Sequence, residues 1–116
     1  MPDSLPNDQH CHLSVEALAG AVLPAAIVDE AVRLTKGFAD PTRVRIMGLL
    51  RLGEVCVHQI VDALALEQSA VSHQLRTLRS ARLVCHTKRG RHVYYRLADE
   101  HVAAMLDAVL SHSREA

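Results

Sequence analysis

The chain has 116 residues, a formal net charge of zero and an almost wholly aliphatic apolar content, since it has two Tyr, one Phe and no Trp. This length allows one small domain with a single core, and no stretch reaches the roughly 18 apolar residues that a membrane span requires. The three cysteines form no obvious disulfide framework and the first ten residues lack the pattern of a signal peptide, so we expect a cytoplasmic protein with reduced thiols.

The N-terminal third predicts an arm followed by two helices. Residues 1–13 contain two prolines and mixed polar residues, and we expect them to form a mobile arm that precedes one folded domain over residues 14–116. Ser14 can cap a short helix over residues 14–19. Residues 25–38 then place apolar side chains at helical spacing, which predicts a longer second helix.

Two further helices follow, and the first of them has clear boundaries. Asp40 is a good N-cap, Pro41 suits the first helical position, and Gly53 is expected to end this helix at its C′ position. Residues 54–64 carry apolar side chains along one helical face, which predicts the next helix.

The second half of the chain predicts a helix, a hairpin and a last helix. Residues 69–84 have one apolar and one polar helical face. Residues 83–87 and 92–97 are rich in β-forming residues and flank a basic tip where Gly90 can turn. Two short helices followed by such a hairpin indicate a winged helix-turn-helix, so the predicted fold class is mainly α with a small β-hairpin.

The zero net charge hides an uneven distribution. Residues 1–32 contain five acids and no Lys or Arg, whereas residues 68–98 contain seven bases and no acid. An acid-free basic segment is typical of a phosphate-binding face, although a solvated basic surface has the same charge pattern. Its position on the predicted helix and hairpin favours double-stranded DNA as the partner. The residues expected to contact DNA are Ser69, Ser72, His73, Gln74 and Arg76 in the helix and Lys88, Arg89 and Arg91 at the hairpin tip.

The last helix, predicted over residues 99–115, has potential zinc ligands at both ends, namely Asp99, His101, His112 and Glu115. The two histidines are eleven residues apart, so they share one face but lie about 16 Å apart along the helix axis. One ion therefore cannot touch both ends of one helix. Antiparallel pairing with the same helix of a second copy, in a homodimer, makes two equivalent four-ligand sites.

The same helix also has an explanation without a metal. Asp99 is a suitable N-cap, and His112 is favourable near a helix C-terminus. In the dimeric arrangement, the apolar residues between the two ends form the dimer seam and its contacts to the body of the subunit; they include Val102, Met105, Leu106, Val109 and Leu110.

Three stretches, SAVSHQLRTLRSARLV, KRGRHVYYRL and DEH…HSRE, resemble the ArsR/SmtB family of metal-sensing repressors, in particular its zinc- and cadmium-responsive members. The likeness covers residues 25–115. It implies a homodimer with its N- and C-terminal helices at the interface, which binds operator DNA without metal and represses metal efflux or sequestration genes. The implied effector is Zn(II), with Cd(II) or Pb(II) as alternatives. Asp99, His101, His112 and Glu115 each fall on a ligand position of the family's C-terminal-helix zinc site.

The resemblance also implies a second, thiolate-rich metal site. Cys56 falls on the cysteine of that site. His58 stands where arsenic-sensing members have the second cysteine of a Cys-x-Cys pair, which disfavours arsenite, and Gln59 replaces an acid of the zinc-type members. Either His58 substitutes as a ligand, or the thiolates bind softer cadmium or lead. Further ligands would come from the N-terminal arm, which is otherwise expected to be disordered; its candidates are His10, Cys11 and His12.

We therefore predict a repressor and not an enzyme, because no nucleophile and base can be paired from their positions. No small-molecule substrate and no membrane partner are expected. One alternative is a winged-helix repressor that is switched by oxidation of Cys11 and Cys56, or not switched at all. Another is a metal-buffering or structural zinc protein without an operator, although the acid-free basic segment argues against it.

Overall fold

A computed structural model describes residues 12–115 of the chain. Six helices and three strands lie in this part of the chain, and none of these helices is long and apolar enough to cross a membrane. In chain order they are α1 (Val15–Gly20), α2 (Ala25–Lys36), α3 (Pro41–Leu50), β1 (Val55–Cys56), α4 (Val57–Leu64), α5 (Gln68–Ser80), β2 (Val84–Arg89), β3 (His92–Leu97) and α6 (Glu100–Arg114).

The described residues up to Glu30 belong to a first unit, which contains α1 and the first half of α2. Ser14 is the N-cap of α1, as predicted, because its Oγ accepts a hydrogen bond from the Ala17 amide at 3.0 Å. Neither helix buries a residue in the subunit. Large apolar side chains are exposed in this unit: Leu13, Val15, Leu18, Val22, Leu23, Ile27 and Val28.

The second unit starts at Ala31 and contains the hydrophobic core. Each of its helices from α3 to α6 turns an apolar face inward, which is the expected consequence of the helical spacing of its apolar residues. The fully buried side chains are aliphatic, in agreement with the composition; the largest are Ile46, Met47, Ile60, Leu75, Leu78, Leu83 and Leu106.

The predicted helix starts are confirmed at two acidic caps. Asp40 accepts from the Arg43 amide at 3.1 Å, with Pro41 in the first turn of α3. Asp99 accepts from the Val102 amide at 3.0 Å at the start of α6. The predicted end of α3 was one residue too late. The helix ends at Leu50 with Arg51 as its C-cap, so Leu52 takes the C′ position, and Gly53, with a φ of 143°, follows it.

The predicted hairpin is confirmed, and a third strand joins it. Gly90 turns the hairpin with a φ of 62°. The sheet has the order β1-β3-β2, and all its strands are antiparallel. The prediction that a helix starts at residue 54 was wrong, because Val55 and Cys56 instead pair with Tyr95 and Tyr94 of β3. With α4, α5 and the hairpin in this order, the fold is a winged helix-turn-helix.

Candidate nucleic-acid interface and metal-ligating residues

Helix α5 presents the polar face that the sequence predicts. Its apolar side chains Val71, Leu75 and Leu78 are buried in the core. The opposite face is open: Ser69, His73 and Arg76 are exposed, whereas Ser72 and Gln74 are half-buried. A helix anchored in this way can offer short polar side chains to base edges in a major groove.

Gln74 is positioned by a residue that sequence reasoning missed. The guanidinium of Arg43 donates from Nη1 to the Gln74 Oε1 at 2.9 Å. The same guanidinium donates to the carbonyl oxygens of Gly37 at 3.0 Å and Lys36 at 3.1 Å. Arg43 therefore connects the end of α2 to the polar face of α5. No local sequence pattern predicts this contact, because Arg43 and Gln74 are 31 positions apart.

The three basic residues of the hairpin tip differ in their contacts within the subunit. Lys88 and Arg91 are exposed. Arg89 instead donates to the Glu54 carboxylate at 2.5 Å, and its guanidinium carbon lies 4.6 Å from the centre of the Tyr94 ring. The hydrogen bond to Glu54 raises the pKa of Arg89 above its already high ordinary value. Lys88 and Arg91 are thus available to phosphate, while Arg89 is held against the body of its subunit.

The candidate ligands of α6 form two pairs, one at each end of the helix. His101 Nδ1 lies 3.7 Å from Asp99 Oδ1, and His112 Nδ1 lies 3.8 Å from Glu115 Oε1. The histidine side chains are 97% and 90% exposed, so both pairs are open to solvent. Asp99 is also the helix N-cap, so the capping role and the proximity to His101 coexist.

The apolar residues between these pairs divide into two groups. Val102 and Leu106 are buried in the subunit's own core, and Met105 and Leu110 are half-buried against it. Val109 is 45% exposed. Helix α6 is therefore packed on one side and open on the side that carries the histidines.

A second cluster lies where β1 meets α4. Cys56 is buried, and its Sγ lies 3.6 Å from the Nδ1 of His92, at the start of β3. The ring of His58 stands edge-on to the His92 ring, with 5.8 Å between the centroids. Sequence reasoning had singled out Cys56 and His58 but not His92, which only the pairing of β1 with β3 brings near.

The remaining predicted ligands of this second site are in the N-terminal arm. His12 is exposed, whereas His10 and Cys11 lie outside the described residues. Cys56 and Cys85 are free thiols. Within residues 12–115, no group of three or more His, Cys, Asp or Glu side chains is already placed to hold a metal ion.

Comparison with known proteins gives consistent matches. Residues 40–85 match the family described as bacterial regulatory protein, arsR family. The chain is 45% identical over 91 residues to the transcriptional repressor SmtB homolog of Synechocystis sp., which covers 76% of this chain and 69% of that protein. It is 34% identical over 87 residues to the cadmium resistance transcriptional regulatory protein CadC homolog of Staphylococcus aureus, covering 74% and 72% of the two chains.

A solved structure agrees with the fold. It is the homodimeric winged helix-turn-helix DNA-binding domain of Mb0332 from Mycobacterium bovis, a possible ArsR-family regulator. The TM-score is 0.75 at 34% identity, and the match covers 78% of this chain and 84% of that one. The expected winged helix-turn-helix is confirmed by this match.

Proposed function

Because the chain belongs to the ArsR/SmtB family of bacterial transcriptional regulators, and so is not an enzyme, we propose that it is a metal-responsive repressor. In this proposal, the metal-free dimer binds operator DNA in the cytoplasm, and Zn(II) releases it. The observation that carries the proposal is the acid–histidine pair at each end of α6. The names of two relatives, a transcriptional repressor and a cadmium resistance regulator, support the same activity.

The dimer is supported by the open face of α6. At 100° per residue, Met105, Ala108 and Val109 fall within about 80° of the line that joins His101 and His112. Between the two acid–histidine pairs, this face carries small or apolar side chains, which can pack closely against an antiparallel copy of α6. The exposed apolar side chains of the first unit offer further surface of the kind that dimers bury.

The zinc ligands follow from that symmetry. Asp99 and His101 of one subunit meet His112 and Glu115 of the other, so a two-fold axis produces two equivalent sites. Imidazole nitrogen and carboxylate oxygen are suitable zinc donors, and four of them satisfy its tetrahedral preference. The exposure of all four side chains leaves them accessible to an ion from solvent.

Two contacts of α3 offer a route from this site to the DNA-binding face. At the end of α3, Arg51 donates to both carboxylate oxygens of Asp107 in α6, at 2.9–3.2 Å. Near its start, Arg43 holds Gln74 of α5. When His101 and His112 of different subunits are joined at one ion, the relative orientation of the subunits is fixed. We propose that this orientation spaces the two α5 helices poorly for successive major grooves, about 34 Å apart.

We also propose roles for the residues of the DNA-binding face, the arm and the second metal site. On α5, the exposed Ser69, His73 and Arg76 and the half-buried Ser72 and Gln74 contact base edges or phosphate. Lys88 and Arg91 contact phosphate from the hairpin. We divide the chain into an arm over residues 1–13, of which residues 1–11 lie outside the described residues, and a domain over residues 14–116. A second site of Cys56, His58 and the arm residues His10, Cys11 and His12 can take Zn(II), Cd(II) or Pb(II).

The test is fluorescence anisotropy of the reduced protein on a labelled DNA fragment from upstream of its own gene, with and without zinc. We expect zinc to raise the Kd for DNA by about 5- to 150-fold, the range of a 1–3 kcal/mol coupling. The H101A/H112A variant should bind DNA but ignore zinc, whereas His86→Ala, which removes a histidine outside both sites, should respond like the wild type.

Two other outcomes would contradict the proposal. If zinc released H101A/H112A as well as the wild type, control would lie elsewhere. If neither protein responded but oxidation released the wild type and spared C11S/C56S, the thiol-switched repressor would be correct.

A further inference from the structure

A basic cleft lies between the end of α2, the start of α3 and the last two turns of α5, and we call it the α2–α5 cleft. Its volume is about 370 Å³. The residues that line it are Arg33, Lys36, Gly37, Arg43, Thr77, Ser80 and Ala81. Three of these residues are basic and none of them is acidic, so the lining suits an anion.

The end of α2 is held firmly beside this cleft. Arg43 donates to the carbonyl oxygens of Lys36 and Gly37. Gly37 is buried, and a side chain at this position would overlap that of Leu83, which is fully buried in the core. The backbone at Lys36 is therefore fixed, whereas its side chain is exposed. The ammonium group of Lys36 can reach an anion in the cleft without any movement of α2.

The cleft continues the open face of α5. At 100° per residue, Thr77 and Ser80 fall within about 40° of His73 around the helix axis, on the side away from the buried Leu75. The Thr77 hydroxyl donates to the His73 carbonyl oxygen at 3.2 Å, and the Ser80 side chain is exposed. Ser80 is seven residues beyond His73, or about 10 Å along the axis. Because the major groove is about 12 Å wide, a helix that places His73 in the groove brings Ser80 to the sugar–phosphate strand at its edge.

The two helix ends at the cleft have opposite effects on an anion. The C-terminal end of α5 carries a partial negative charge, and the first turn of α3 carries a partial positive charge. Each is equivalent to about half an elementary charge, so the two nearly cancel. The amides of Ala81 and Leu83 also donate to carbonyl oxygens in the last turns of α5. The full positive charges of Lys36 and Arg43 therefore determine the sign of the cleft.

We propose that the α2–α5 cleft binds a phosphate group of the DNA strand that borders the major groove, with Lys36 and Ser80 as donors to the phosphate oxygens. Arg43 contributes its charge, because its Nε, Nη1 and Nη2 already donate to acceptors within the subunit. This contact positions α5 on the strand and reads no bases. The inference rests on the proposed function, since it requires that the chain bind DNA.

The test measures the Kd of the metal-free protein for the labelled DNA fragment by fluorescence anisotropy over a series of salt concentrations. We expect Lys36→Gln to raise the Kd about three- to tenfold at low salt. The slope of log affinity against log salt concentration should fall by about one for each bound subunit. Ser80→Ala should raise the Kd about twofold or more, because one hydrogen bond is lost.

The matched control is Arg45→Gln. It also removes one positive charge, from an exposed residue on the side of α3 opposite Arg43. We expect this control to keep the slope of the wild type. On DNA of unrelated sequence, Lys36→Gln should raise the Kd by the same factor as on the labelled fragment, since a phosphate contact carries no sequence information.

A direct measurement uses the two lysines of the chain, Lys36 and Lys88. Reductive methylation with carbon-13 formaldehyde labels both and keeps their charge. Lys36→Arg identifies the Lys36 methyl signal in the NMR spectrum by its absence. We expect the signals of both lysines to shift when the DNA fragment is added.

Two results would overturn the proposal. If Lys36→Gln changed the Kd and the salt slope no more than Arg45→Gln does, the cleft would not contact DNA. If inorganic phosphate shifted the Lys36 signal and DNA did not, the cleft would bind a small phosphorylated ligand instead of the DNA strand.

Failure of this inference and failure of the proposed function can be told apart. If zinc releases the wild type from DNA but Lys36→Gln binds DNA like the control, only the role of the cleft is wrong. If the wild type binds no DNA, both proposals are wrong. Lys36→Gln should also keep the factor by which zinc raises the Kd, because the ligands on α6 are unaltered.

Discussion

Arg43 in α3 and Gln74 in α5 are joined by a 2.9 Å hydrogen bond, although they are 31 positions apart in the chain. Because Arg43 also binds two carbonyl oxygens at the end of α2, its guanidinium is fixed by three acceptors from two directions. A residue away from the polar face of α5 thus sets the position of a residue on that face. Arginine suits this task, since its planar group offers several donors at fixed angles.

Replacing Arg43 should weaken DNA binding through Gln74. We expect Arg43→Ala to lower operator affinity by about 5- to 30-fold, or roughly 1–2 kcal/mol, because Gln74 is no longer held in position on the DNA-binding face. Arg43→Lys should recover little of the loss. In a double-mutant cycle, Arg43→Ala and Gln74→Ala should cost less together than the sum of the two. The control is Arg45→Ala, which removes an exposed arginine of the same helix. If the losses of binding free energy in the Arg43 and Gln74 variants simply added, the two residues would not be coupled.

The ion pair of Glu54 with Arg89 should lower the affinity of the hairpin for DNA, because it occupies the Arg89 guanidinium. In Glu54→Gln, Arg89 is released and one negative charge is removed near the basic segment. We expect operator affinity to rise about three- to tenfold at low salt. The slope of log affinity against log salt concentration should steepen by the amount that about one further phosphate contact contributes. Asp62→Asn removes another exposed acid, from α4, and should have a smaller effect. Weaker binding by Glu54→Gln would mean that the pair orders the hairpin for DNA.

Leu106 and Val109 should separate subunit stability from dimerisation. Leu106 is fully buried, so Leu106→Ala should reduce the free energy of unfolding by about 2–5 kcal/mol. Val109 is 45% exposed in the subunit, so Val109→Ala should mainly weaken the dimer. Urea unfolding at high protein concentration measures the first effect, and sedimentation over a concentration series measures the second. An unchanged dimer in Val109→Ala would place the seam elsewhere.

The contact of Arg51 with Asp107 should make stability depend on acid pH. The hydrogen bonds from Arg51, aided by its charge, lower the pKa of Asp107, although desolvation opposes them. A carboxyl whose pKa is lower in the folded state stabilises that state above the unfolded value and loses this contribution as pH falls through the folded value. We therefore expect Asp107→Asn to unfold at a lower urea concentration than the wild type at pH 7.

The same difference should shrink as pH falls below about 4, the ordinary pKa of an Asp side chain, and on through the lower folded-state pKa of Asp107, where this carboxylate becomes protonated in the wild type. Glu100 lines the same cleft and carries the same charge, so Glu100→Gln is the control. Because both partners of the pair are about half exposed, with 50% and 51% of their side chains accessible, 1 M salt should also reduce the difference at pH 7. A difference that is constant with pH would show that Asp107 acts through packing.

Local signals in the sequence determined much of the fold. Asp40 and Asp99 are caps because a short acidic side chain reaches the amide three residues ahead, whatever the rest of the chain does. Gly90 turns the hairpin because its φ of 62° costs glycine little. The spacing of apolar residues likewise predicted which face of α5 is buried. The pairs at the ends of α6 were also predictable, since their members are two or three residues apart.

Only the tertiary structure decided which distant residues meet. The two-residue strand β1 has no periodicity of its own to reveal it, yet its register on β3 brings Cys56 to His92 across 36 positions. Arg89 is a second example. The sequence predicted it on the DNA-binding face, and the fold pairs it with Glu54. Such contacts depend on strand register and on how helices pack, and these follow from the whole core rather than from any segment.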